Sequence, residues 1–359
     1  MSQSLAKAIK YIKAPDELLA TLRRGSLTGD LVVPNTVFTG AQTVKYQSIS
    51  FESSTLGTYS TSTGYTQSTI VSVWKDLILS QDMGNALIID KFEDEEAMAN
   101  GLVTYVNRYI LDVQAKAIDI YRFGVITAKT GVINNTVTLT NSTALNEVLK
   151  AQAVMVDNNI NISDMILYLN PQIDKIIAEQ SFGKGYITIG TWGNNIDTQV
   201  RMFNGAKMVV IPSDRLGSGI QFILLHKNAV ACFEKFRETV YFEEIPGFGG
   251  RKAEADIGIY HDAFVYDELV NAVYVSKCAT HVITITDGNE TATPTTMTSI
   301  TVNEGSSIKI PTCTMVVSGK HCIGWDTNVL GNAVVYAQNA ILTMSTAAVT
   351  LYAVWEADA

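Results

Sequence analysis

Residues 43–75 read TVKYQSISFESSTLGTYSTSTGYTQSTIVSVWK. The segment opens in alternation, with Val44 and Tyr46 on one face. It then crosses a Ser/Thr/Gly-rich stretch and resumes as Ile70, Val71, Val73 and Trp74. Apolar residues alternating on either side of a turn-rich centre predict two strands with a long tip between Gly57 and Gly64. Between Lys45 and Lys75 the only charged side chain is Glu52. Charge is what normally keeps a long hairpin from pairing with other chains, so a hairpin this neutral is expected to lie on a neighbour. Tyr46, Phe51, Gly57, Tyr59, Gly64, Tyr65 and Trp74 are its candidate assembly residues.

Toward the N-terminus, residues 1–30 hold two short helix-like pieces split by Pro15. Their cations Lys7, Lys10, Lys13, Arg23 and Arg24 outnumber Asp16 and Glu17. Two readings stand side by side: a solvated terminus, or a basic arm lying along a polyanion or an adjacent subunit. The segment lacks the continuous apolar core and small-residue cleavage site of a signal peptide, so synthesis and folding in a cytoplasm are expected.

Beyond the hairpin, Asp90 with Glu93 gives a capping-box-like start. Leu102, Val106, Tyr109, Val113, Ala117 and Ile120 then recur at helical spacing through Tyr121. The expected helix is long, roughly 40 Å for some 28 residues at about 1.5 Å each, with Gly101 a local weakness. Residues 125–140 read as a short hairpin, and Thr143 opens a helix carrying Leu145, Val148, Leu149 and Val156. Ile166–Leu169 reads as a strand, and Asn170-Pro171 as a cap with proline at the first helical position, opening a helix to about Gln180. Strands are expected at 206–211 and 220–225, a short helix at 227–236, and strands at 240–244, 257–263 and 269–275. This order is neither a doubly wound βαβ series nor a barrel, so the class is α+β. After Lys277 the text turns rich in Thr and Val. Strand-like runs at 281–286, 299–302, 307–310 and 349–355 are separated by Asp287-Gly288-Asn289 and Glu304-Gly305, marking a separate small all-β domain.

Composition narrows the function. The 359 residues make two or three domains at roughly 100 to 200 residues each. A net charge of -9 argues against a surface built throughout to neutralise nucleic-acid phosphates, so any DNA contact is local. Charged residues are only 17% of the chain, and uncharged surface is cheaper to desolvate against copies of the same molecule. Apolar runs such as 208–211 and 222–225 fall far short of the roughly 18 residues of a membrane span.

Candidate chemistry is thin. Cys278-x-x-His281 with Cys313, His321 and Cys322 supplies zinc-type ligands. However, adjacent His321 and Cys322 point to opposite faces of a strand, and Cys278 sits at a domain junction. Reduced, buried thiols are the expected state of the four cysteines, which include Cys232. Pro246-Gly-Phe-Gly-Gly-Arg-Lys252 lacks the spacing of a phosphate-binding loop, and the acidic run 93–96 is accounted for by a helix start. No nucleophile or zinc-helix motif is present, and no enzyme activity or cofactor is expected.

Leu56-Gly-Thr-Tyr-Ser-Thr-Ser-Thr-Gly-Tyr-Thr66, then Trp74, then Gln81-Asp-Met-Gly-Asn-Ala-Leu-Ile-Ile-Asp90, resembles the extended loop and spine-helix approach of tailed-phage major capsid proteins, whose fold is named after the phage Hong Kong 97. The series continues in order with Ile166-Leu-Tyr-Leu-Asn-Pro171, Gly205-Ala-Lys-Met-Val-Val-Ile-Pro212, Leu225-His-Lys-Asn-Ala-Val230, Gly258-Ile-Tyr-His-Asp262 and Ala272-Val-Tyr-Val-Ser-Lys277. The resemblance implies an N-terminal arm over 1–42, an extended hairpin loop over 43–80, and a spine helix with peripheral domain over 81–141. It further implies an axial domain over 142–238 and closing peripheral strands over 239–278. The implied function is a shell subunit self-assembling into pentamers and hexamers in the host cytoplasm and residing in the virion capsid. Implied partners are a separate scaffolding protein, a portal and packaged double-stranded DNA, with no membrane. A cellular encapsulin-type compartment and a bacterial surface adhesin are the alternatives.

Residues 279–359 are similar in turn to the internalin B-repeat, a small β-grasp-like module. The similarity rests on Thr301-Val-Asn-Glu-Gly-Ser-Ser-Ile-Lys-Ile-Pro311, Gly324-Trp325 and Leu351-Tyr-Ala-Val-Trp355. Trp325, Tyr352 and Trp355 are the expected core of that domain. An external position, with a glycan or cell-surface ligand, is what this likeness implies.

Overall fold

The computed structural model describes residues 25–34, 38, 42–51, 56–62, 64–65, 68–91, 102–191, 199–242, 248, 250–288, 290–331 and 333–358. The chain divides into two compact units. One is formed by Met1–Ile133, Val148–Ser218 and Ile223–Val275, the other by Asn134–Glu147, Gly219–Phe222 and Ser276–Ala359.

In chain order the strands through Lys277 are β1 (Thr43–Phe51), β2 (Ile70–Ile78), β3 (Gln81–Asp90), β4 (Ile133–Thr136), β5 (Met165–Leu169), β6 (Ile187–Thr191), β7 (Gln199–Phe203), β8 (Ala206–Val210), β9 (Ile220–His226), β10 (Val230–Phe242), β11 (Lys252–Val265) and β12 (Val273–Lys277). The principal helices are α1 (Leu102–Tyr109), α2 (Ala115–Ala128), α3 (Ala144–Asp157) and α4 (Pro171–Ser181).

In the first unit β1 and β2 form an antiparallel hairpin in unbroken register from Thr43 opposite Ile78 to Phe51 opposite Ile70. A separate three-stranded sheet runs β10-β11-β3. There Gly84 faces Gly258 across the ladder. A Cβ on Gly84 would meet the Ile257 carbonyl oxygen at 2.8 Å, so only glycine fits. A mixed sheet places β12, β9, β5, β8, β7 and β6 side by side in that order. β5 is buried along its whole length, as a central strand covered on both faces must be. The Asn170 side chain accepts from the Ile173 backbone N–H at 2.8 Å, and Pro171 starts α4 as the capping signal predicts.

The long helix is present with its phase altered. A π-helical turn, Ile110–Gln114, joins α1 to α2, so the helical stretch runs on to Ala128. The wider turn resets the apolar stripe, so that Val106 before it and Ile118, Phe123 and Ile126 after it are all buried. Gly101 and the acidic run 93–96 lie outside the described residues.

Three expectations are corrected. Residues 125–140 are not a hairpin, because α2 continues through 128 and β4 is a single strand. Residues 227–236 are not a helix: only a 3-10 turn, Lys227–Ala229, precedes the 13-residue strand β10. In the sequence Ala229, Phe233 and Phe236 fall at helical spacing while Ala231 and Phe233 fall at extended spacing, and pairing with β11 decides for the strand. The strand expected at 269–275 begins only at Val273, after a 3-10 turn over Asp267–Ala272. The β6–β7 hairpin and strand β3 are additions to the expected elements.

The second unit carries β13 (Thr280–Thr286), β14 (Thr296–Asn303), β15 (Ser307–Lys309), β16 (Lys320–Asp326), β17 (Tyr336–Ala337), β18 (Ile341–Thr343) and β19 (Val349–Ala357). Five strands run in the order β14-β13-β19-β16-β17, with β13 and β19 parallel, and β15 pairs β18. Its described residues from 279 onward hold strands and turns only, as the all-β reading expects. The unit also takes in 134–147 and 219–222. Thr138 Oγ1 donates to the Glu304 carboxylate at 3.0 Å, and the Cys278 N–H donates to the Gly219 carbonyl at 2.7 Å. No helix among the described residues is long and apolar enough to cross a membrane.

Candidate assembly surface

The pleat sorts the hairpin into two unlike faces. Val44, Tyr46 and Ser48 of β1 share a face with Val73, Lys75 and Leu77 of β2, because they pair directly across the ladder. This face is fastened at its root. Val44 is buried in a cluster with Leu79, Ala231, Phe233 and Tyr260. Tyr46 meets Tyr266 edge to face at 4.9 Å and donates to Glu268 at 3.3 Å; Ser48 also donates to Glu268. Lys75 closes the arrangement with Glu268 at 2.7 Å and Asp267 at 3.2 Å, and Lys129 holds Asp267 from its other side at 2.6 Å.

The opposite face is bare and, apart from the Lys45–Asp76 ion pair near the root, carries no charge. It presents Ile49, Phe51, Ile70, Trp74 and Ile78, all exposed; Phe51 is 64% accessible and Trp74 63%. An apolar row of this kind is expensive to leave in water and marks an interaction surface. At the tip, Ser60 and Gly64 form an isolated bridge, with Gly64 at φ +76° in the region that favours glycine, and Tyr59 packs against Tyr65 at 5.0 Å. Gly57 is also exposed at this end. Of the candidate residues, Phe51 and Trp74 lie on the bare face, Tyr46 belongs to the root, and Gly57, Tyr59, Gly64 and Tyr65 form the tip.

The cations Lys7, Lys10, Lys13, Arg23 and Arg24 lie outside the described residues. The segment Ser26–Thr28, just after them in the chain, is strongly held. Asp119 on α2 is fully buried and accepts hydrogen bonds from Ser26 Oγ at 2.8 Å, the Leu27 N–H at 3.1 Å and Thr28 Oγ1 at 3.0 Å. Arg215 pairs with Asp119 at 3.2 Å, while buried Arg122 donates to Thr28 Oγ1 and pairs with Glu234 at 2.7 Å. A buried charge persists only when paired and hydrogen-bonded, and Ser26–Thr28 together with Arg215 meet both conditions for Asp119. Nothing in the local sequence around Asp119 reveals this, because its partners are about a hundred positions away.

In the second unit Trp325 is fully buried with Ile283, Ile285, Leu351 and Ala353. Trp355 packs against the same cluster and its indole N–H donates to the Asp287 carbonyl at 2.9 Å, while Tyr352 is half-buried. Of the cysteines, Cys232 is deeply buried, which pushes its thiol up to about 12. Cys278 lies beside Thr138 Oγ1 at 3.3 Å. His281 faces Glu304 at 3.4 Å, and His321 faces Asp358 at 2.9 Å, so the two histidines engage carboxylates and not thiols.

No family model matches the chain, and no curated protein matches it. Solved structures do. The capsid structure of the cyanophage P-SCSP1u is similar with a TM-score of 0.56 at 14% identity, covering 72% of this chain and 89% of that one. The chain of Gordonia phage Cozz gives 0.52 at 14% identity over 71% and 87%. The asymmetric unit of the bacteriophage PhiM1 mature capsid gives 0.50 at 11% identity over 71% and 87%. At these identities the likeness is one of backbone architecture: the mixed α+β fold of this chain matches that of phage capsid chains.

Proposed function

We propose that this chain is the repeating, non-enzymatic subunit of an icosahedral phage head, assembling through its hairpin into pentamers and hexamers that enclose double-stranded DNA. The observation that carries this reading is the two-faced hairpin. One face is tied to its own body through Tyr46, Ser48 and Lys75, while Ile49, Phe51, Ile70, Trp74 and Ile78 lie bare for a second copy. Fastening the root fixes the angle at which the bare face is offered, which a closed shell requires of every copy. The capsid fold of the similar chains supports the same reading. The basic arm lies inside, against DNA or under an adjacent subunit, where cations are drawn to a polyanion in a salt-dependent way. A separate scaffolding protein and a portal complete the assembly.

The tail from residue 279 stands on the outer surface. Its likeness to an internalin repeat supports a weak glycan or cell-surface ligand that gains avidity from repetition. An encapsulin-type compartment is the second reading, favoured by the same two-faced hairpin. Expression of the chain with its neighbouring genes, then electron microscopy, separates the two. Shells carrying nuclease-protected DNA and an external tail density support the head; shells enclosing a captured cargo protein support the compartment. A protein that stays monomeric with its scaffold overturns both.

A further inference from the structure

We propose that the outer edge of β6 is a docking edge for a second copy of this chain, whose own β6 pairs with it antiparallel about a twofold axis at Ile189. β6 (Ile187–Thr191) ends the mixed sheet, with β7 on one flank and no partner strand on the other among the described residues. Its register with β7 is unbroken, and the Asn204 N–H donates to the Tyr186 carbonyl at 2.9 Å. Hydrogen-bonded and open pairs alternate along an antiparallel ladder, so Thr188 and Gly190 turn their backbone groups toward β7. Ile187, Ile189 and Thr191 therefore turn N–H and C=O outward. An edge strand is normally guarded against further pairing by a charge, a proline or a bulge. β6 carries none of the three. Apolar surface adjoins it: Ile189 is 73% accessible, and Phe182, which follows α4, is 90% accessible.

The pattern of outward groups selects the partner. Three outward residues centred on Ile189 form an array that a twofold axis maps onto itself. Ile187 then meets the partner's Thr191, Ile189 meets the partner's Ile189, and every outward donor lies opposite an acceptor, for about six hydrogen bonds in all. Charge agrees with self-pairing. Tyr186–Thr191 holds no charged residue, so identical strands meet without the repulsion that like charges placed opposite would bring. Arg201, opposite Ile189 on β7, is already neutralised by Asp174 at 2.9 and 3.1 Å. The two copies of Lys184 fall at opposite ends of the paired strands, roughly 33 Å apart at about 3.3 Å per residue. Pairing also brings the two Ile189 side chains together and withdraws them from water. A five-residue ladder is small beside the roughly 1,600 Å² of a standard interface, so the pair is weak and is populated at about 10 to 200 μM chain. Its twofold operator differs from the head-to-tail rotation that closes pentamers and hexamers, so free chains pair whether or not shells form.

Sedimentation equilibrium of the full-length protein over about 5 to 200 μM, beside crosslinking of cysteine variants with a short bismaleimide, tests this. The wild type should show a monomer–dimer equilibrium. Ile189→Cys should give a peptide joined to its own copy at residue 189, and Lys184→Cys should give no such joined peptide, its two thiols being too far apart. Ile189→Pro removes an N–H that points away from its own sheet, a place where an edge strand accepts proline. Losing both central hydrogen bonds should weaken dimerisation roughly tenfold. Ile189→Lys keeps the N–H but sets like charges opposite each other across the axis, and should weaken the dimer as well, which keeps the test decisive if the proline variant fails to fold. A wild type that stays monomeric throughout, a dimer indifferent to both substitutions, or no joined peptide from Ile189→Cys would overturn the proposal. Shells that form without β6 pairing would overturn it and spare the shell reading, and paired chains that never form shells would do the reverse.

Discussion

The Lys75 ammonium lies 2.7 Å from the Glu268 carboxylate, across 193 positions of chain, and this contact binds the root of the hairpin to the body of its own chain. Lys75 and Ser48 donate to Glu268 and hold its carboxyl down to about 2, from 4.5; Lys129 and Lys75 likewise lower Asp267. A depressed carboxylate contributes stability that is complete above its ordinary value and is lost as pH falls through its folded value. The latch is therefore intact at neutral pH and opens between about 4.5 and about 2. Both partners are about a third accessible, so the effect is local opening and not global unfolding. Glu268→Gln should speed amide exchange over 43–51 and 70–78 by roughly threefold to tenfold at neutral pH, with little change in global melting. Unchanged exchange in those strands would show that the root is held by other contacts.

Asp119 should be among the most sensitive positions in the first unit. Asp119→Ala strips the acceptor from Ser26, Leu27 and Thr28 and leaves the Arg215 guanidinium without its buried partner. Breaking one side of a buried pair costs about 3–5 kcal/mol. Urea denaturation should show that loss, and limited proteolysis should cut first within 25–34. A loss under about 1 kcal/mol would mean the cluster is solvated in solution.

Trp325→Ala should cost about 3–5 kcal/mol, because the indole is fully buried among Ile283, Ile285 and Leu351. Differential scanning calorimetry should show the loss confined to the transition of the second unit. A shift spread equally over both transitions would contradict an independently cooperative C-terminal domain.

Truncation after Lys277 removes Glu304 from Thr138 and Cys278 from the Gly219 carbonyl. The remaining chain should stay soluble and assemble, destabilised by about 1–3 kcal/mol for the polar groups left without partners. Insoluble or shell-less protein would show that residues 134–147 and 219–222 depend on the tail for their fold.

The parts of this fold legible in the sequence are those whose cause is local. Asn170-Pro171 announces α4 because cap and proline act within one turn, and the neutral run from Lys45 to Lys75 announces the hairpin because alternation and turn residues are short-range signals. Strand β10 escapes such a reading because its apolar spacing fits either period until β11 supplies a partner. Of the candidate assembly surface, Phe51 and Trp74 can be named from the pattern, but their shared exposure depends on register. The root latch is not legible at all, since Asp267 and Glu268 look like an ordinary acidic turn until folding brings Lys75 and Lys129 to them.

Sedimentation velocity of the full-length protein beside a chain lacking residues 52–68, each assembled with its scaffold, puts the role of the hairpin to a direct test. The intact chain should yield closed, fast-sedimenting shells, and the deleted chain should remain folded and soluble as capsomers or monomers. Normal-sized shells from the deleted chain would contradict an assembly role for the hairpin.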